Sequence, residues 1–164
     1  MKKLILFMLA AATLCSCDGD RKKNNDSESQ EPEKTETATV AYSVVGGRDM
    51  VSLVEITAVY VDASGSEVRE TVDALPWTKT ITGAQLPFEA KIGLECVKKS
   101  ARPEQTSYQI GLNNNIAYSV GEGERIDLGY VSSTMTVGAD KVDDALDHIF
   151  GRLEVRSVQI DPAK

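Results

Sequence analysis

The chain has 164 residues, with 18 Lys and Arg against 25 Asp and Glu, a formal net charge of −7. That acidic balance disfavours nucleic acid and anionic lipid as partners, since both call for clustered basic side chains. Aromatic residues make up only 5%, too few for an extended sugar-stacking platform.

Met1-Lys2-Lys3 opens an apolar run from Leu4 to Leu14 that ends in Cys15-Ser16-Cys17. A positive start, a short apolar stretch and small residues before a break are the marks of a secretory signal peptide over residues 1–16. Leu14, Ser16 and Cys17 resemble the lipobox of bacterial lipoproteins, which implies lipid attachment at Cys17. Cys15 fits worse, since Leu14 would then precede the modified residue directly. The apolar run is about half the length needed to span a bilayer, so the expected tie to the membrane is acyl chains. Removal of residues 1–16 takes away Lys2 and Lys3 and no acid, leaving 16 basic and 25 acidic side chains and a net charge of −9.

Residues 17–38 carry no large apolar side chain and read as a disordered acidic tether, because they cannot bury enough surface to offset the entropy of ordering. Residues 39–164 are then one domain. With Cys15 removed and Cys17 acylated, Cys96 has no disulfide partner, and stability must come from packing.

From Thr39 onward apolar residues alternate with period two. Val40, Tyr42 and Val44 form one strand face, and Val54, Ile56, Ala58 and Tyr60 another, which ends in a turn at Asp62-Ala63-Ser64-Gly65. Ser66 to Asp73 has an edge-strand pattern, with Glu70 between Val68 and Val72. A non-helical start at Leu75-Pro76-Trp77 leads into a β-rich Thr78–Thr82. Phe88, Ala90, Ile92, Leu94 and Cys96 give the cleanest half-buried strand. Beyond a charged loop, Tyr108, Ile110 and Leu112 face inward, Asn113-Asn114-Asn115 is read as a tight hairpin, and Ile116, Tyr118 and Val120 return. Gly121-Glu122-Gly123-Glu124 turns into Ile126, Leu128 and Tyr130.

Helical spacing appears only near the end. Val142, Ala145, Leu146, Ile149, Phe150 and Leu153 form a stripe that predicts a helix over about 141–151, with Asp140 as N-cap and Gly151 as its stop. Leu153, Val155, Val158 and Ile160 suggest a last strand. The fold class is therefore all-β: an antiparallel, immunoglobulin-like β-sandwich of 7–9 strands with one short C-terminal helix covering an open end or face.

Three segments resemble the MmpS-like β-sandwich lipoproteins, relatives of the accessory proteins of mycobacterial MmpL exporters. They are Val40-x-Tyr42-x-Val44-x-Gly46, Ile56-Thr57-x-x-Tyr60-x-Asp62-x-x-Gly65 and Leu75-Pro76-Trp77-Thr78-Lys79, with Ile110 to Ile116 as a fourth likeness. The match runs over about residues 39–119. It implies an extracytoplasmic, immunoglobulin-like domain and assistance to an exporter. The mycobacterial members use a transmembrane helix and a cysteine pair, where this chain has a lipobox and Cys96.

No catalytic constellation stands out. His148 is the single histidine, one turn after Asp144, and is read as a surface ion pair near a helix C-terminus. Asp140, Asp143, Asp144 and Asp147 lack the loop glycine and bidentate Glu of an EF-hand and read as a solvated face. Gly121-Glu122-Gly123 is too acidic to cradle phosphate, and Trp77 reads as a core plug. The expectation is a non-enzymatic protein without metal or cofactor. It is lipid-anchored through Cys17 in a Gram-negative cell envelope, with the outer membrane ahead of the inner. Its partners would be the membrane and an envelope protein or amphipathic ligand; the alternative is a structural or adhesion component of the cell surface.

Overall fold

A computed structural model describes residues 36–129 and 133–162. The signal peptide expected over residues 1–16, the attachment expected at Cys17 and the part of the expected tether before Glu36 lie outside those residues. The protein is an antiparallel β-sandwich. Its strands are β1 (Thr37–Gly46), β2 (Val54–Val61), β3 (Glu67–Thr71), β4 (Trp77–Gln85), β5 (Phe88–Lys98), β6 (Ser107–Ile110), β7 (Leu112–Val120), β8 (Ile126–Asp127), β9 (Met135–Gly138) and β10 (Arg156–Ile160). Two short helices, α1 (Met50–Leu53) and α2 (Val142–Phe150), complete it.

One sheet has the order β4-β1-β7-β8 and the other β10-β5-β2-β3, while β6 and β9 form a small third ribbon. The two-layer plan is that of immunoglobulin-like sandwiches. The strand order is its own, with β1 inside its sheet where an immunoglobulin domain has its first strand at an edge. Alternation places the inner faces as the sequence predicts: Val40, Tyr42 and Val44 of β1, and Val54, Ile56, Ala58 and Tyr60 of β2, are buried in one core with Ala90 and Ile92 of β5. β1 starts at Thr37, and Ala38 is already fully buried, so order begins two residues inside the stretch assigned to the tether.

Asp62 to Gly65 makes the expected turn. The Gly65 N–H donates to the Asp62 carbonyl, and Asp62 Oδ1 accepts from the backbone N–H groups of Ser64 and Ser66. Gly65 has φ +81°, the left-handed conformation a glycine adopts without steric cost. β3 is an edge strand as predicted.

The asparagine run departs from expectation. Asn113, Asn114 and Asn115 are not a hairpin but part of β7, in register with Val45, Val44 and Ser43 of β1. The chain breaks two residues before Asn113, at Gly111, whose φ of +151° lets β6 leave the main sheet and pair with β9. Asn114 and Asn115 are buried, which a strand tolerates because each amide bonds across to a neighbouring segment. β8 is only two residues long, with Ile126 and Leu128 exposed, against the inward-facing strand expected there.

α2 presents Val142, Leu146 and Ile149 to the core and lies at the end where β5 finishes. Lys98 at that end binds Asp147 at 2.6 Å, and Arg102 binds Asp143 at 2.7 Å. Asp140 is not the N-cap. It lies within a 3₁₀ turn, Ala139–Lys141, that precedes the helix, and no side chain caps α2. Gly151 ends the helix in an ordinary right-handed conformation, and Leu153 and Val155 fall between α2 and β10 rather than in the last strand.

Candidate ligand-binding site

The residues that carry the sequence resemblance meet in space. Tyr42 of β1, Tyr60 of β2 and Trp77 of β4 form a chain of rings, with centroids 5.3 Å apart for the first pair and 6.0 Å for the second. Tyr42 Oη donates to the Val61 carbonyl at 2.9 Å and accepts from the Lys91 N–H at 3.3 Å. Burial, opposed by the Lys91 hydrogen bond, pushes this phenol up to about 12.

Over the outer end of the chain of rings, Glu70 Oε2 accepts from Tyr60 Oη at 2.9 Å and from Lys79 Nζ at 2.7 Å. The Lys79 hydrogen bond, then the Tyr60 one, holds Glu70 below the ordinary carboxylate range. Lys79 is raised mainly by its bond to Glu70. Trp77 packs against the core as a plug, as its position at a strand start suggests. This cluster joins β3 to β4, the edge strands of opposite sheets.

The concavity lies on the outer face of the β10-β5-β2-β3 sheet. A groove of about 330 Å³ has Val59, Val61, Gly93, Leu94 and Val155 in its walls, with charged side chains around them. Gly93 opens it: on β5 this outward position falls between Lys91 and Glu95, and a Cβ there would stand 3.2 Å from Val155 Cγ2. Val155, 60% exposed, overhangs from the segment before β10. Arg69 is ion-paired with Glu95 along one side, while among the described residues Lys91 Nζ and the Glu67 carboxylate have no hydrogen-bond or ion-pair partner. An apolar floor within a mixed-charge rim suits a molecule with an aliphatic part and a polar head.

Reading the chain by alternation missed this groove, although two signs of it are present. Ala58-Val59-Tyr60-Val61 is apolar on both faces of β2, and Gly93 interrupts a charged face in a strand interior, where glycine often marks close approach by another group.

The residues singled out for chemistry are dispersed. Cys96 lies half-buried, and burial raises its thiol to about 11, which makes it an inert packing residue. His148 is exposed on α2 and lines a small cavity of about 100 Å³ with Ser133, Met135 and Arg152. Among the described residues it has no ion-pair partner, so the expected pair with Asp144 does not form. No hydrogen bond links it to a nucleophile there either. Asp140, Asp143, Asp144 and Asp147 are all exposed, as a solvated face requires, and two of them also dock α2, Asp143 on Arg102 and Asp147 on Lys98. Gly121 to Glu124 is an exposed turn. No family model, curated protein or solved structure matches the chain.

Proposed function

We propose that this is a lipid-anchored, non-enzymatic protein of the cell envelope whose sandwich holds an amphipathic molecule, in the manner of an accessory to an exporter. The observation that carries the reading is the groove over Gly93, apolar within and charged at its edge, on a sheet face that solvent would otherwise reach. An aliphatic chain would lie against Val59, Val61 and Val155, with an anionic head at Lys91. The lipobox at Cys17 supports a membrane attachment, and the likeness of the Tyr42, Tyr60 and Trp77 segments to MmpS-like lipoproteins supports the accessory role.

Two measurements test it. Labelled palmitate should be incorporated into the wild-type protein in cells and not into Cys17→Ala; a label that survived the substitution would remove the anchor. The full-length protein in lipid nanodiscs should bind parinaric acid saturably. Val59→Glu should weaken that binding by about tenfold, the effect of losing one buried valine contact. Equal binding by the two proteins would dismiss the groove. In that case, affinity capture that returned cell-wall or surface-layer material would favour the structural or adhesion role.

A further inference from the structure

The sandwich has two lateral seams, and among the described residues the seam opposite the Trp77 cluster is open. There β8 is the edge of one sheet and β10 the edge of the other. Between them lies a second, polar cavity of about 480 Å³, lined by Asn113, Asn114, Arg152, Glu154 and Arg156 with the backbone around Gly151.

Each side chain has a local reason to be there. Arg156 pairs across β10 and β5 with the core residue Ile92, so its side chain starts on the inner face of an edge strand. It reaches across the seam, where Nη1 donates to the Gly129 carbonyl just after β8 at 3.1 Å. One of five guanidinium N–H groups is used and four remain. Asn114 lies on the inner face of β7, 4% exposed, and its Nδ2 donates to the Glu154 carbonyl at 3.0 Å, which holds the segment after α2 over the cavity. The α2 carbonyls of Asp147, Ile149 and Phe150, whose partial negative charge would repel an anion, already accept from the N–H groups of Gly151, Arg152 and Leu153.

The charge balance is unusual for so acidic a chain. Arg48, Arg69 and Arg102 each have a carboxylate partner, at Asp49, Glu95 and Asp143. Arg125, Arg152 and Arg156 have none among the described residues, and the last two line this cavity together, against one carboxylate, Glu154. Two guanidiniums without a carboxylate partner, both lining one polar recess, can serve as a receptor for a planar or tetrahedral oxyanion, which a guanidinium grips with two parallel N–H groups.

We propose that the open seam is a binding site for the carboxylate or phosphate group of a small molecule, held by Arg152 and Arg156. The volume is that of a small-ligand pocket. The site also lies far from where the chain preceding β1 joins the domain. Asn113 pairs with Val45, eight residues along β1 from Thr37, or about 26 Å at the rise of a strand. None of the lining residues belongs to the groove over Gly93, so failure of either assignment leaves the other standing.

The test uses the full-length protein in nanodiscs of neutral lipid, with inorganic phosphate and succinate as probes and the arginine Nε–H resonances as the readout. The expected result is saturable movement of the Arg152 and Arg156 signals. Affinity should fall about tenfold or more in Arg152→Ala, the loss of a charged hydrogen-bond pair, and be unchanged in Arg48→Ala, an exposed arginine that lines neither cavity. Arg152 is exposed, so its removal leaves the fold intact even if Arg156→Gln, which breaks the bridge to Gly129, does not. Movement of the same signals by phosphatidylglycerol vesicles, but by neither soluble probe, also supports the site and makes a lipid headgroup its source. A linear drift with no saturation by any probe, or undiminished binding in Arg152→Ala, overturns the proposal.

Discussion

The two lateral seams of the sandwich solve one problem in opposite ways. At each, the edge strands of two sheets stand apart and the core between them must be closed. On the β3–β4 side closure is apolar and continuous: Tyr60 and Trp77 pack in a tilted contact, and the Glu70–Lys79 pair lies over the tyrosine. On the β8–β10 side it is polar and punctuated, made by single bonds from Arg156 to Gly129 and from Asn114 to Glu154. Strand length underlies the contrast. β4 runs for nine residues and can carry a large ring on its inner face, whereas β8 has two. A short edge leaves amides and guanidiniums to span the gap, and side chains that span a gap leave space between them. One seam stabilises; the other can bind.

The largest consequence is for Trp77. Trp77→Ala removes the outermost ring from the closed seam and leaves Tyr60 facing a cavity. We expect a loss of about 3 kcal/mol, at the low end for large aromatics because Trp77 is only half-buried. The fall in the urea midpoint at unchanged slope measures it. A loss below about 0.5 kcal/mol, the range of an ordinary surface substitution, would mean that the ring is an ornament and that the two seams do not differ in this way.

The strand faces that meet at these seams were legible in the chain, the seams themselves were not, and the difference has a physical reason. Period-two alternation places Tyr42, Tyr60 and Ile92 correctly, because one face of each strand is buried against a single core and register is then fixed by burial. Three consecutive asparagines, by contrast, look like a turn. Their local preference for left-handed conformations is overridden in β7 by pairing with β1 and by amide bonds to Glu154 and Asp127, partners 40 and 12 residues away. Asp140 is displaced as N-cap for a related reason: a 3₁₀ turn takes up the residues before α2. Neither the open seam nor the groove over Gly93 follows from alternation, since each is assembled from segments whose proximity only the topology decides.

A smaller effect separates the seams by pH. Because hydrogen bonds from Lys79 and Tyr60 depress the folded Glu70, its contribution to stability is present above the pH at which an unfolded glutamate titrates. It is lost as pH falls through the lower folded value. Glu70→Gln should therefore be less stable than wild type at neutral pH, and the two should converge in acid, where the protonated carboxyl and the amide are nearly isosteric. Denaturant melts across that acid range provide the check. A constant difference at every pH would show that the carboxylate charge contributes nothing to the closed seam. Asp127, held low by the Asn115 amide and the Gly129 N–H, adds a parallel loss on the open side, which Glu70→Gln leaves untouched.

The smallest expected change is the most telling about the open seam. Arg152 is exposed, has no carboxylate partner among the described residues and carries no strand pairing, so Arg152→Ala should alter stability by less than about 0.5 kcal/mol. Removing a cation from an acidic chain adds a little self-repulsion, and that bias grows at low salt. If thermal melts instead showed Arg152→Ala losing stability on the scale of Trp77→Ala, Arg152 would be closing its seam as Trp77 closes the other. The recess would then be a by-product of packing. A residue that the fold does not need, placed beside a second unpaired guanidinium in a chain with 25 acids, is otherwise free to serve a ligand.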